Sequence, residues 1–426
     1  MLKLNGTVTD KLNFFGAKNA FELVEAYGSP LYIYNEEIIR KRCREVKNLV
    51  PYKNFRVNFS AKANSNLAFL QIVREEGLNV DAMSPGEIHV ELMAGFNPDN
   101  ILYISNNVSK DEMMYAISRG ITVSVDSLSQ LEQYGSINPG GRVCVRFNPG
   151  VGAGHHKKVV TGGKDTKFGV NSEYIHKVKE ILEKYKLTLI GINQHIGSLF
   201  MDGEAYIQGA GNVLSIARHF DTLEFVDLGG GFGIPYKKQD DEQPMDLKAL
   251  GERLNVFIEE FIAGYGREII IKVEPGRYIS AESGLLLGQV HAVKNNGETK
   301  YIGTDIGFNV LMRPILYDSY HGIEVYRKSG ENTGATEVVT VVGNICESGD
   351  IIANKRELPV IHEGDILGVL DAGAYGMVMS SPYNNRPRPA EVLIRSDGTD
   401  VLVRRRDTLE DLVKNFIPLE KYGYWL

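Results

Sequence analysis

Phe55-Arg56-Val57-Asn58-Phe59-Ser60-Ala61-Lys62-Ala63-Asn64 is the stretch from which the fold is read. Its first six residues alternate apolar and polar side chains, as a short strand does, and it closes on a polar cluster that contains a lysine. An amphipathic stretch from Leu67 to Gly77 follows and stops on glycine, the usual end of a helix. A strand, a polar tip and a helix in that order form one unit of a parallel sheet.

The unit recurs. LNVDAMS (78–84), ILYISNN (101–107), ITVSVDS (121–127), RVCVRFNPG (142–150), LIGINQHIGS (189–198), EFVDLGGGFG (224–233) and IIIKVEPGR (269–277) have the same character. Helical stretches such as Lys110 to Gly120 and Glu173 to Tyr185 lie between them. With the first stretch these make roughly eight strands, the number that closes a (β/α)8 TIM-type barrel, and catalytic groups in such barrels sit at the C-terminal strand ends. A doubly wound open sheet would give the same alternation.

After about residue 285 short strands separated by Gly, Asn, Asp and Pro turns take over: GLLLGQVHAV (284–293), EVVTVVG (337–343), DILGVLD (365–371) and AEVLIRS (390–396). The expected organisation is α/β: a barrel over 33–285, and a C-terminal β-rich domain over 286–426 that also takes in 1–32. Apolar residues are 43% and charged residues 24% of the chain, with no run near the roughly 18 apolar residues a membrane helix needs. A net charge of -7 argues against nucleic acid as a partner. No secretory signal is visible at the start, and three widely spaced cysteines, Cys43, Cys144 and Cys346, suit a reducing cytoplasm and lack metal-ligand spacing.

Four strand tips carry chemistry. Lys62 ends the first strand, where burial in a barrel mouth can lower a lysine's pKa and make it an imine former; alone it also reads as a lysine reaching for solvent. Asp227-Leu228-Gly229-Gly230-Gly231-Phe232-Gly233 ends the seventh, where glycines let backbone N–H groups approach a phosphate, or simply form a tight turn. Glu274-Pro275-Gly276-Arg277 ends the eighth with a carboxylate able to keep a ring nitrogen protonated. His195-Ile196-Gly197-Ser198 offers a flat imidazole and a hydroxyl. Together these are the parts pyridoxal phosphate needs.

Motif order and spacing, from GSPLYIYNEEIIRKRCREV to YNNRPRPAEVLIR, resemble the fold-type III pyridoxal-phosphate decarboxylases with an alanine racemase-like barrel, and among them the diaminopimelate decarboxylases of lysine biosynthesis. The resemblance implies a carboxy-lyase that converts meso-2,6-diaminopimelate to lysine and carbon dioxide, acting as a homodimer with shared active sites. By it Lys62 carries the cofactor, Glu274 contacts the pyridine nitrogen and His195 stacks on the ring. Ser198, Gly231, Gly276, Arg277 and Tyr375 would surround the phosphate. Asp81 and Arg146 would form either a supporting charge pair beneath the cofactor or a structural ion pair.

The resemblance also makes Cys346 of Cys346-Glu347-Ser348-Gly349-Asp350 the acid that reprotonates the product carbanion from across a dimer interface, with Glu347 on the substrate's distal ammonium. Arg277, Arg313, Tyr317 and Tyr375 would complete the substrate site, Arg313 as a bidentate carboxylate clamp; without the resemblance Arg313 reads as a surface arginine. Three positions depart from the family pattern: Phe59-Ser60 for Tyr-Ala, Asn193 for an aromatic or histidine, and Val310 for an acid. The rivals are a decarboxylase of ornithine, arginine, lysine or carboxynorspermidine, an alanine-type racemase, and a non-catalytic pyridoxal-phosphate carrier. Relatives acting on other basic amino acids tend to carry Asp where Glu347 stands, and a carrier is typically a lone barrel.

Overall fold

The computed structural model describes residues 7–104, 106–154, 162–163, 166–240, 242–328, 334–417 and 419. The chain divides into two compact units, Glu36–Gly284 with Gly373–Val378, and Met1–Asn35 with Leu285–Ala372 and Met379–Leu426.

The first unit is built on eight strands: β1 (Phe55–Ser60), β2 (Asn79–Ala82), β3 (Ile101–Ile104), β4 (Thr122–Val125), β5 (Arg142–Asn148), β6 (Thr188–Asn193), β7 (Phe225–Asp227) and β8 (Ile270–Val273). Each pairs in parallel with its neighbours, and β8 returns to β1 with Val273 opposite Val57, so the sheet closes. Closure rules out the open doubly wound sheet that periodicity allowed.

The strands are buried on both faces because helices cover the outside, which is why they read as near-continuous apolar runs. Leu102, Ile104, Cys144, Ile190 and Phe225 form one packed cluster of this interior. The covering helices begin on side-chain caps: Asn66 accepts from Ala68 and Phe69 N–H ahead of Leu67–Glu75, and Ser109 forms a reciprocal box with Glu112 ahead of Lys110–Ile117. Phe59 stacks on Phe69 of the first of these helices at 5.3 Å. The departure at position 59 therefore belongs to packing.

In the second unit Leu31–Asn35 runs parallel to Ala390–Ile394, Gly284–Asn296 is antiparallel to both Thr299–Thr304 and Ile366–Val369, and Thr336–Val342 is antiparallel to Ile351–Pro359. The result is the mixed β domain that the short, turn-separated strands foretell. No helix among the described residues is long and apolar enough to cross a membrane.

Candidate active site

In the barrel unit the titratable groups gather where the strands end. Lys62 lies in the single turn Ala61–Ala63 directly after β1. Burial disfavours its charge, yet the groups of Tyr375, Asp81 and Glu274 outweigh that and hold its pKa above the ordinary lysine value. The expected fall is thus reversed in the protein alone, because anionic neighbours surround the amine.

Asp81 ends β2 fully buried and accepts a 2.7 Å bond from the Ser60 hydroxyl. The departure from Ala to Ser at position 60 supplies that donor. Burial pushes the Asp81 carboxyl up to about 7 even though Lys62 and the Ser60 bond act the other way. Among the described residues no ion pair joins Asp81 to Arg146, so the structural ion pair between those two is not formed, and each keeps a buried polar atom without a partner. The guanidinium of Arg146 instead lies 4.6 Å over the Phe168 ring, in the field of Glu274 and Asp126.

Glu274 follows β8 and is 5% exposed; burial first, then the nearby carboxyls of Asp227 and Asp81, hold its pKa well above the usual range. Asp227, which ends β7 with no exposure, comes within hydrogen-bonding reach of Glu274 and accepts the Gly229 N–H at 2.9 Å. Two acids so close in a dry site favour holding a proton between them. In the sequence Asp227 stands only as the start of a glycine motif; its approach to Glu274 arises because β7 and β8 pair in register, which no local signal reveals.

His195 stands two residues past β6, and its Nδ1 accepts the Gly230 N–H at 3.3 Å. Burial, Lys62 and Arg146 drive its pKa well down, leaving a neutral ring with the proton on Nε2. The glycine run is sterically required: a Cβ on Gly230 would lie 1.8 Å from the Glu274 carbonyl oxygen, and Gly231 has φ +108° with a neighbouring carbonyl 2.4 Å from any Cβ. Asn193, the second departure, accepts a 2.7 Å bond from Ser124 inside the barrel and plugs its interior.

Arg277 is 5% exposed and donates to Ser198 Oγ at 3.0 and 3.3 Å and to Tyr236 OH at 2.8 Å, with its guanidinium 4.9 Å over the Tyr375 ring. Ser198 accepts both bonds, so its own O–H stays available to donate. Gly276 sits against Ser60 and Ala63, each Cβ 3.0 Å from where its own would be. Tyr375 donates its backbone N–H to Ala63 O at 2.8 Å, one residue from Lys62. Tyr236 is a partner that the sequence did not single out; its place shortly after the glycine run is the only hint.

In the β unit Arg313 is 1% exposed, which overturns its surface reading. It donates to His321 Nε2 at 2.8 Å and Ser319 Oγ at 3.3 Å, while His321 Nδ1 meets the Leu370 carbonyl at 2.8 Å and so carries the ring proton. Tyr317 ends the same short helix, Arg313–Tyr317, half-buried. Val310, the third departure, is buried and its carbonyl accepts from Tyr32 OH at 2.5 Å. Cys346 and Glu347 are exposed on a loop of this unit.

Comparison with known proteins bears on this arrangement. The family described as pyridoxal-dependent decarboxylase, pyridoxal binding domain, matches residues 36–281, the barrel. Over 408 residues, 94% of each chain, the sequence is 42% identical to the diaminopimelate decarboxylase of Methanothermobacter thermautotrophicus. The chain belongs to the diaminopimelate decarboxylase family. The Escherichia coli K12 enzyme of that name is 36% identical over 93% of this decarboxylase and 96% of its own length. A crystal structure of the Helicobacter pylori diaminopimelate decarboxylase complexed with L-lysine superposes with a TM-score of 0.85 at 30% identity, covering 93% of this chain and 98% of that one.

The cofactor of this decarboxylase is pyridoxal phosphate, and the barrel mouth fits it. Glu274 Oε1, Asp81 Oδ1 and Arg146 Nη2 are buried polar atoms with no hydrogen-bond partner. Such atoms cost about 1–3 kcal/mol each unless something binds them. An amine at Lys62, a glycine cradle with no room for side chains, and the Ser198 hydroxyl complete a set matched to an aldehyde, a phosphate and a ring nitrogen.

Proposed function

We propose that the chain removes carbon dioxide from diaminopimelate to give lysine, using pyridoxal phosphate held in the barrel mouth. The observation that carries this reading is the closing pair of strands. Because β8 returns to β1, Lys62 and Glu274 stand at adjacent strand ends with their charges coupled.

When bound, the cofactor supplies an electron sink for the pair left behind as the substrate carboxylate departs. Lys62 would hold the cofactor through its amine, which the substrate's own amine would replace. Glu274 would keep a proton on the ring nitrogen, His195 would offer the ring a neutral imidazole face, and Ser198 with the glycines at Gly231 and Gly276 would hold the phosphate. Arg277 and Tyr375 border both phosphate and substrate.

The end of the substrate that does not react carries its own carboxylate and ammonium. Arg313 and Tyr317 read the carboxylate, and Glu347 the ammonium. A site built around a polar group rejects analogues that lack it by about 10⁴ to 10⁵, so lysine, ornithine and arginine, without the distal carboxylate, are poor substrates. Cys346 delivers its thiol proton to the carbon that lost carbon dioxide. Cys346 and Glu347 are exposed on their own chain, which supports a homodimer in which each copy supplies these two residues to the other's barrel. Three free cysteines, two of them buried, support a cytoplasmic location.

The test is release of carbon dioxide by the purified holoenzyme from meso-diaminopimelate beside ornithine, arginine and lysine at equal concentrations. Diaminopimelate should be turned over fastest by orders of magnitude; faster release from any of the other three overturns the substrate assignment.

A further inference from the structure

Beside the Cys346-Glu347 loop lies a pair of residues that the reaction scheme above does not use. The Tyr383 hydroxyl donates to Glu347 Oε1 at 2.5 Å, and Asn384 Oδ1 accepts the Cys346 backbone N–H at 2.9 Å. Adjacent residues of one turn thus grip adjacent residues of the other. We propose that Tyr383 is a positioning residue for substrate specificity: it fixes the direction of the Glu347 carboxylate, and through it the register of the substrate's distal ammonium. The inference rests on the reading of Glu347 given above.

A glutamate on an exposed loop has three free torsions, and ordering such a side chain costs about 1.5–2 kcal/mol of rotamer entropy. If that ordering happens on binding, it is subtracted from affinity. A phenol bonded to Oε1 fixes the side chain beforehand and leaves Oε2 to meet an ammonium. Hydrogen bonding to the carboxylate also holds the Tyr383 pKa up, so the phenol remains a donor.

The anchor behind Tyr383 is firm. Its ring stacks on Phe308 at 5.6 Å and 26°. Phe308 donates its backbone N–H to Asp350 Oδ1 at 2.7 Å, while Asp350 Oδ2 accepts the Ile345 N–H at 2.8 Å, next to Cys346. Asp350 is 3% exposed, and one carboxylate therefore ties the Phe308 turn to the base of the Cys346 loop. Asn384 and Asn385 hold left-handed backbone, φ 55° and 52°, which asparagine tolerates better than most residues. Tyr383 itself is 43% exposed. Its hydroxyl adds little to the stability of the fold, and its geometric effect on Glu347 is the larger consequence.

The test is a double-mutant cycle in the holoenzyme with Tyr383→Phe, Glu347→Gln and both together, measuring kcat and KM for meso-diaminopimelate. Unchanged cofactor absorption and unchanged melting temperature check the fold of each variant. Tyr383→Phe should raise KM about fivefold, the effect of one modest hydrogen bond, with kcat nearly constant. In the Glu347→Gln background the same change should do nothing further. A Tyr383→Phe enzyme with wild-type KM, alongside a Glu347→Gln enzyme whose KM has risen, overturns the positioning role alone. Full additivity of the two changes overturns it as well, because Tyr383 then acts without Glu347. A wild-type KM in Glu347→Gln removes the assignment of Glu347 and the inference with it.

Discussion

Replacing Glu274 by glutamine keeps the shape of the side chain and removes its charge, and the structure sets the size of the effect. Glu274 is 5% exposed with a buried, unpartnered Oε1, so a cationic ring nitrogen beside it would meet a carboxylate in a poorly hydrated site. At an effective dielectric near 20 and a separation of about 4 Å, the attraction is roughly 4 kcal/mol, or about 10³ in rate. An amide can still hydrogen-bond an unprotonated ring nitrogen, which sets a lower bound near 10². The assay is single-turnover release of carbon dioxide by Glu274→Gln with cofactor occupancy followed by absorbance. A rate within about tenfold of wild type at full occupancy would refute the role of Glu274.

The same substitution should not weaken the cofactor-free fold. A carboxyl whose folded pKa is raised stabilises below its unfolded pKa and loses that contribution as pH rises toward the folded value. Glu274 is raised well above 4.5, so at pH 8 its presence is a liability. The melting temperature of cofactor-free Glu274→Gln at pH 8 should equal or exceed that of wild type, which separates a chemical defect from misfolding.

Glu91 provides a cleaner case of that linkage: it is fully buried, neither carboxyl oxygen has a partner, and burial, Asp81 and Glu87 push it up to about 10. Glu91→Met should gain on wild type in melting temperature as pH is raised from 5 to 8, and a pH-independent difference would contradict the raised pKa. Lys62→Ala should abolish the visible absorption of the bound cofactor; retention of that band would place the covalent link elsewhere. Arg313→Ala should raise KM for diaminopimelate by about 10² or more while leaving cofactor absorption intact, as expected for loss of a charged hydrogen-bonding partner; unchanged diaminopimelate turnover would refute the clamp.

Periodicity shows most of the barrel. Each barrel strand lies in or within one residue of a quoted stretch, the first alternating apolar and polar residues and others, such as ILYI, apolar throughout because both faces are buried. Closure was expected from the count of about eight strands but not from any local signal, since the pairing of Val57 with Val273 joins residues more than 200 positions apart. At the site, residue types at strand ends were visible, whereas the forces on them were not. Lys62 was expected to lose proton affinity by burial and gains it from Tyr375, Asp81 and Glu274, a balance that exists only after folding. Arg313 looked superficial because nothing in its sequence neighbourhood shows that His321 and Ser319 would satisfy a buried guanidinium. The departures at Ser60 and Asn193 make sense only beside Asp81 and Ser124 across the sheet.

Gly373–Val378 groups with the barrel, although about ninety residues separate it from Gly284. Asn64 donates to the Gly373 carbonyl at 3.0 Å, and Tyr375 to Ala63 at 2.8 Å, on either side of Lys62. A ribosome that has just finished the eighth strand has therefore not yet made the last piece of wall around the reactive amine. During vectorial synthesis that amine lacks its full surroundings until about ninety further residues have been added after the barrel's last strand.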